Sequence, residues 1–526
     1  MKIWNKYSKV ASLAFGLTVV SASCINDLDR KPFIEVTSAT VYDNPASYKN
    51  VLAKLYAGLA VTGQEGPAGL PDIGGIDEGF SAYLRQYWQA QQLPTDESVI
   101  GWNDGSLPDF HDMDWTSNNE FITALYSRIF YQVTLCNEFI RETSPEKLAS
   151  RNLSGPEYAA YRAEARFLRA LSYYHALDMF GNVPFVTEND APGSFLPKQT
   201  NRADLFAYVE SELKAIENEL PSPRQNEYGR ADKAAAWMLL AKLYLNAQVY
   251  IGTPKYSETI EQTKKIIAAG YALHPNYQGL FLADNDKSPE IIFAIRFDGL
   301  STKSWGGMTY LVHAPVGGSM NPAEFGINGG WSGLRTTPSL VTKFPAPNGA
   351  DKRAIFHTDG QNINVEDIFT FTDGYAVGKY KNVDVNGRPG TDSEGNHPDT
   401  DYPMFRLADA YLMYAEAVLR GGTGGDVATA LGYVNLLRQR AYGGTSGNVN
   451  SINLDFILDE RSRELYWEAT RRTDLIRFNK FTGSDYVWQW KGGVQAGRGV
   501  SDHLKLYPIP ASDIVANPNL KQNPGY

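Results

Sequence analysis

Cysteine is scarce in this chain: Cys24 and Cys136 are the only two among 526 residues. At most one bridge could form, so a disulfide-stapled scaffold is excluded. Long apolar runs are missing as well. Beyond the first twenty residues no stretch of 18 or more apolar residues occurs, which leaves no helix to span a bilayer. Cationic runs are also lacking. The 49 Lys and Arg are outnumbered by 59 Asp and Glu, giving a net charge of −10. A phosphate backbone is repelled on average, and nucleic acid is excluded as a partner, whereas neutral ligands are untouched by this argument. The seven His are dispersed and none forms an HExxH pair, which removes that class of metal catalysis. Nor is there a barrel-like alternation of strands and helices.

What is present begins at the N-terminus. Lys2, Lys6 and Lys9 precede an apolar run from Val10 to Val20 that is too short to cross a membrane. Ser21, Ala22 and Ser23 then lead into Cys24, the pattern of a bacterial lipoprotein cleavage site, with Ser21 standing where an aliphatic residue is usual. Ordinary secretion cleavage nearby is the alternative. The reading is a signal peptide over 1–23, an acylated Cys24, and a polar tether over 24–45. Stable attachment then needs more than one acyl chain. Cys136 falls on the apolar face of a predicted helix and reads as a buried hydrophobe.

Amphipathic helices follow. Ile122, Leu125, Ile129, Val133, Cys136 and Ile140 recur at helical spacing. A second helix is predicted from Pro156 to Phe180, with proline in the first turn and Gly181 just past the end. Others are predicted over 203–220, 231–250, 256–269, 404–420, 427–441 and 454–480. Between 271 and 403 the chain is rich in Gly, Asn, Asp and Pro, too long for a plain loop, so a folded insertion of short strands and turns is expected there. The segment near 62–118 reads as loop-rich, and the tail from Tyr507 reads as closing without a helix. The fold class is mainly α: a tetratricopeptide-like scaffold of paired helices (46–270 and 404–480) carrying the insertion, as one domain over 46–526.

Three tryptophans stand in loop context: Trp102 in IGWNDG, Trp305 in SWGGM and Trp331 in NGGWSG. Indoles in Gly-rich turns serve either as core plugs or as exposed stacking faces. Trp237 lies on a helix stripe and reads as core. Trp488 and Trp490 alternate like a half-buried strand, and Trp88 and Trp115 are undecided. A glycoside hydrolase would need two carboxylates about 5–10 Å apart, one of them kept protonated. Asp459/Glu460 and Glu464/Glu468 share a helix dense in arginine and read as ion-paired, while Asp96 and Glu97 follow a Pro-Thr turn and read as caps. Asp284, Asn285 and Asp286 offer oxygens of the calcium type without an acidic partner at calcium-loop spacing, so a structural calcium stays open; no other cofactor is expected.

CINDLD at 24–29, ELYWEATRRTDLIRF at 464–478 and YPIP at 507–510 resemble the SusD (RagB/SusD) family of Bacteroidetes outer-membrane lipoproteins. VTGQ at 61–64, DEG at 77–79, LPTDE at 93–97, GRADKAA at 229–235, FLADND at 281–286, NGGWS at 328–332 and WKGG at 490–493 resemble its starch-binding branch in particular. The resemblance covers the whole mature chain. It implies a tetratricopeptide-like helical fold on the outer face of the outer membrane, docked on a SusC-like TonB-dependent transporter and without hydrolytic activity. It also implies one shallow site for α-glucan (starch or maltooligosaccharide) on an arc of three aromatic rings. Trp102, Trp305 and Trp331 fall on the arc positions, Trp305 replacing a tyrosine. Arg85 falls on the arginine that bonds sugar hydroxyls. Gly105 stands where the starch-binding branch has an asparagine, and Asn103 or Asp104 is expected to supply that hydrogen bond from the same turn.

Overall fold

Sequence-encoded caps set the helix boundaries. In the computed structural model, which describes residues 41–526 apart from 68, 70, 192 and 194, several of the longer helices begin on a side chain that holds their first free N–H groups. The predicted signal peptide, Cys24 and most of the tether lie outside the described residues. Helix α1 spans Pro45–Ala57 and α2 spans Tyr83–Gln92. Asn119 caps α3 (Glu120–Glu142) by accepting from the N–H groups of Phe121 and Ile122. Helix α4 (Pro156–Met179) has proline in its first turn, and Gly181 follows it at φ +75°, a left-handed position that favours glycine. Asn201 opens α5 (Arg202–Ile216), and Asp232 opens α6 (Lys233–Leu245). Then come α7 (Tyr256–Ile267), α8 (Gly307–His313), α9 (Leu407–Leu419) and α10 (Val427–Tyr442), the last capped by Asp426. Helices α11 (Leu454–Leu465), α12 (Arg471–Arg477) and α13 (Ala511–Ala516) follow, and short helices also occur at Asp109–Asp112, Pro145–Ser150, Ala247–Ile251 and Pro338–Val341.

The apolar stripes meet where their spacing predicts. The six stripe residues of α3 are all buried, with Cys136 among them as a free thiol that burial pushes up to about 12. Successive helices pack on one another, α3 on α4, α4 on α5, α6 on α7, α7 on α9, and α9 on α10. That is the paired-helix array expected from the sequence, within one compact unit over Lys49–Tyr526.

The insertion is closed by its own two ends. Strand β2 (Ile291–Ile295) runs antiparallel to β4 (Tyr402–Arg406), pairing Ile291 with Arg406 and Ile295 with Tyr402. Between them lies β3 (Leu334–Arg335), which pairs with β1 (Val99–Ile100) of the N-terminal segment. A buried ion network ties this ribbon to α11. Arg406 reaches Glu290 at 2.8 Å and both Glu464 and Glu468 at 2.7 Å, while Arg353 reaches Glu460 and Asp351 at 2.7 Å. The ion-pairing expected of Glu460, Glu464 and Glu468 is therefore met, with partners that come mostly from distant segments.

Several expectations are corrected. The 454–480 stretch is two helices, because Trp467 and Ala469 turn left-handed at φ +63° and +55°. Tertiary bonds hold that break: the Trp467 carbonyl accepts from Trp88 Nε1 and Tyr380 Oη, and its own Nε1 donates to Glu97 O. The 62–118 segment contains α2, all of whose residues are buried, and the tail contains α13. The 231–250 helix breaks at Asn246, after α6. Trp237 is half-buried and donates to Glu217, so it is no core plug. Trp488 and Trp490 lie in turns rather than a strand, Trp490 at φ +68° with its indole N–H on Val365 O.

Candidate functional site

The β1–β3 ribbon makes neighbours of two tryptophans 229 residues apart. The Gly101 N–H donates to Gly333 O, continuing the pairing by one step, so Trp102 emerges beside Trp331. The Trp102 indole N–H donates to Trp331 O at 3.1 Å. A Cβ on Gly333 would stand 2.4 Å from Trp102 Cε2, so the ring can take this place only over a glycine. The Trp102 turn is pinned from the other side by α3. Ser106 Oγ accepts from Glu120 N–H, and Glu120 Oε1 accepts from Ser106 N–H, a reciprocal exchange of the capping-box kind.

Trp331 is fixed by α8. Its N–H donates to His313 O at the last residue of that helix, and its indole stacks on the His313 imidazole at 4.9 Å and 25°. Both His313 ring nitrogens face backbone oxygens, Gly329 O at 2.7 Å and Asn396 O at 2.9 Å. Burial lowers the His313 pKa, and these two carbonyls oppose that shift by favouring the doubly protonated ring. Trp305 lies just ahead of α8. Its ring sits 5.0 Å from His397, whose pKa burial also lowers. Gly306 lets that end of α8 approach α2 closely, since a Cβ there would lie 2.5 Å from the Ala82 Cβ.

The three indoles form a row. Trp102 and Trp331 have ring centres 6.2 Å apart at 47°, and Trp331 and Trp305 are 6.5 Å apart at 55°. All three are half-buried, so each keeps an exposed part while its body is held. Each ring is thus tilted against the next, and no two neighbours lie in one plane.

Arg85, from α2, lies beneath this row. It is only 9% exposed and packs on the Tyr310 ring at 4.5 Å and the Trp102 ring at 6.0 Å, in cation–π range. Its Nη1 donates to Gly79 O and Trp305 O, and among the described residues its Nε is buried without a partner and its Nη2 donates to no protein group. Among the described residues no carboxylate pairs with it, so a surface ion pair with Asp77 or Glu78 is not formed. Burial lowers its pKa, with Tyr310 and Asp104 acting in the opposite sense. Asn103 and Asp104 are exposed on the Trp102 turn. Gly105 has φ +49°, and a Cβ there would stand 1.7 Å from Glu120 Oε1, so the space of any larger side chain is taken by the carboxylate that pins the loop.

Tyr310, His313 and His397 were not singled out by sequence. Tyr310 and His313 share α8 while His397 lies 84 residues further on, and isolated histidines carry a signal only for metal spacing. The aromatic row therefore has a floor that no local pattern announces.

The remaining candidates fall elsewhere. Asp96 and Glu97 are fully buried, and neither acts as a cap. Arg471 grips Asp96 through two 2.7 Å bonds, and Lys343 and Tyr486 add to it. Burial pushes the Asp96 carboxyl up, but Arg471 and Lys343 outweigh it and hold the group far below the usual range. Glu97 is raised, by burial and by Asp96. With no route for a sugar to reach this pair, it is structural. Asn285 is buried, its amide on Leu280 O and Asp401 O and its oxygen taken by Asp401 N–H, which removes it from any calcium shell. Among the described residues no three His, Cys, Asp or Glu gather to hold a metal ion. A separate cavity of about 870 Å³, walled by Leu52, Tyr56, Tyr228, Arg230, Arg296 and Lys303, includes none of the three indoles.

Comparison with known proteins agrees with this architecture. Residues 356–526 match the family model of the SusD family, and residues 28–245 match a model described as starch-binding, associating with the outer membrane. The starch-binding protein SusD of Bacteroides thetaiotaomicron is 37% identical, over 98% of this chain and 97% of its own. The chain belongs to the SusD family. A SusD-like protein of Bacteroides ovatus is 25% identical over 94% of this chain and 87% of its own. Among solved structures, surface glycan-binding protein A of Bacteroides fluxus superposes with a TM-score of 0.70 at 21% identity, covering 92% of this chain and all of the other. Its counterpart from Bacteroides thetaiotaomicron, in complex with laminarihexaose, gives 0.68 at 22% identity, covering 91% and 99%. This SusD-family protein thus has the mainly α fold expected from its sequence.

Proposed function

We propose that this protein is a non-catalytic binder of α-glucan at the cell surface, anchored in the outer membrane through Cys24 and passing its ligand to a SusC-like TonB-dependent transporter. The row of mutually tilted indoles, Trp102, Trp331 and Trp305, carries the reading. A pyranose presents a C–H face that packs on an aromatic ring, and each Å² of apolar area so removed from water contributes about 25 cal/mol. A coiled glucan turns its successive sugar faces, and rings tilted by 47° and 55° match a ligand that turns better than a flat one. Arg85 Nη2 supplies a donor to hydroxyls from beneath, and Asn103 and Asp104 supply polar groups at the rim.

Starch is favoured by the 37% identity to a starch-binding relative across nearly the whole chain. A second reading, a β-glucan such as laminarin, draws on the laminarihexaose complex of a relative at 22% identity. The outer-membrane site draws on the family model's description. The absence of hydrolysis draws on the burial of both residues of the Asp96–Glu97 pair, with ion pairing of Asp96, and on the arginine partners of Glu460 and Glu464.

Isothermal titration with maltoheptaose and with laminarihexaose tests this. The expected result is saturable heat with maltoheptaose, at a dissociation constant between about 1 μM and 1 mM as suits a shallow wet site, and no release of reducing ends. Trp331→Ala is expected to weaken binding by about 2 kcal/mol, roughly 30-fold, the scale of a central hot spot. Reducing-end release would make the protein an enzyme. Preference for laminarihexaose would move the assignment to β-glucan.

A further inference from the structure

The aromatic row supplies stacking but little discrimination, because stacking does not distinguish one hydroxyl pattern from another. A group that reads hydroxyls has to stand beside the rings, with donors and acceptors still free. The loop over 391–400 carries such a group and touches the residues that support two of the indoles. Asn396 O accepts from or faces the ring of His313, on which Trp331 stacks, and the next residue, His397, packs against Trp305. Asn396 therefore lies where the supports of Trp331 and Trp305 meet.

Its side chain belongs to a built cluster. Asn328 Nδ2 donates to Asn396 Oδ1 at 2.7 Å and to Glu394 O at 2.9 Å, and Asn396 Nδ2 donates to Glu394 Oε2 at 3.2 Å. The backbone is locked to match: Asn396 N–H donates to Asp392 Oδ2, and Asn328 N–H donates to Gly395 O. Gly395 has φ +67°, and a Cβ there would stand 2.9 Å from Asn328 N, so this close approach requires glycine. Asn328 and Glu394 are exposed and Asn396 is half-buried. The internal bonds leave capacity unspent: Asn328 Oδ1, Glu394 Oε1 and the second proton of Asn396 Nδ2 meet no protein partner among the described residues.

A fixed amide donor beside a carboxylate acceptor suits two neighbouring hydroxyls of one sugar. One hydroxyl donates to the carboxylate in a charge-assisted bond, and the other accepts from the amide. We propose that Asn328, Glu394 and Asn396 form the hydroxyl-reading rim of the glycan site, engaging a vicinal diol of the sugar stacked between Trp331 and Trp305. This rests on the glycan-binding reading above and assigns that site its specificity-determining polar group. It also gives the site hydrogen bonds from a second loop, where Gly105 provides none.

The test is a double-mutant cycle between protein and ligand, using maltoheptaose and a maltoheptaose methylated on its 2- and 3-hydroxyls. The full chain is compared with Glu394→Gln and Asn328→Ala, both exposed positions, with thermal melting to confirm folding. Each variant is expected to bind maltoheptaose about tenfold more weakly than the parent. Methylation is expected to weaken the parent by a similar factor while weakening the variants much less, and tryptophan fluorescence should still respond at saturation. Variants that bind maltoheptaose as the parent does, or that lose as much as the parent does on methylation, would overturn the rim. A parent that binds no glucan at all would instead overturn the reading on which it rests.

Discussion

At the scale of single residues, the site depends as much on small side chains as on large ones. Gly333 has an ordinary function in a ribbon until its neighbour is considered: a Cβ placed there lands 2.4 Å from Trp102 Cε2. Gly333→Ala is therefore expected to displace the indole and weaken maltoheptaose binding about tenfold with little change in melting temperature, as titration beside calorimetry will show. Unchanged affinity would mean that Trp102 stands apart from the ligand. The loop setting of the three tryptophans was legible in the sequence, where an indole among glycines reads as either a core plug or a stacking face; their gathering into one row was implied by the family resemblance alone. Their floor was not legible. Tyr310 falls in a stretch read as short strands and turns, where the structure has α8 instead, and His313 and His397, 84 positions apart along the chain, become neighbours of the row only through tertiary folding. Arg85 was legible by resemblance alone; its cation–π seat against Tyr310 depends on where α8 lies.

At the scale of elements, caps and stripes made the array readable. Asn119, Asn201, Asp232, Asp426 and Asn453 each accept from N–H groups at the start of the helix they precede; the stripe after Asn119 is buried throughout, whereas Trp237 after Asp232 is half-buried and Val427 after Asp426 is exposed. The break between α11 and α12 was unreadable, since neither Trp467 nor Ala469 favours a left-handed backbone and distant hydrogen bonds impose it. The strongest family motif, ELYWEATRRTDLIRF, proves to be this core junction rather than the binding site. Strand β3 hangs on a single cation. Arg335 is fully buried and among the described residues pairs with no carboxylate; it donates to Gly333 O, Ile368 O, Thr370 O and Asp373 O, and burial lowers its pKa to about 10. Arg335→Met would leave Ile368 O and Asp373 O without a donor, each at about 1–3 kcal/mol, while Gly333 O and Thr370 O keep the Gly101 and Asp373 N–H groups. The expected outcome is loss of maltoheptaose binding with far-ultraviolet helicity retained, because the cation organises the insertion and not the helical array. Retained binding would show that the ribbon orders itself without Arg335.

At the scale of the whole molecule, buried ion pairs join the insertion to the helices and make stability depend on acid. Glu416 and Glu460 are pushed up by burial, yet Arg477 and Arg353, with their neighbouring arginines, hold both near 2 against an ordinary 4.5. A depressed carboxyl contributes stability that is complete above 4.5 and drains away as pH falls towards 2. Chemical denaturation is expected to show a steep loss of stability across that window. Asp401 works in the opposite sense: burial raises its carboxyl from 3.8 to about 7, so its contribution falls as pH rises between those values. Asp401→Asn should flatten the slope on the neutral side and leave the acid limb intact. A stability profile that is flat from pH 2 to 5 would contradict the ionised network.

The whole account turns on where a glucan lies. A crystal structure of the protein with maltoheptaose decides this most directly. Sugar rings are expected against Trp102, Trp331 and Trp305, following their tilts, with hydroxyls towards Arg85. Ordered sugar in the 870 Å³ cavity between Tyr56 and Arg296, with the three indoles bare, would contradict it.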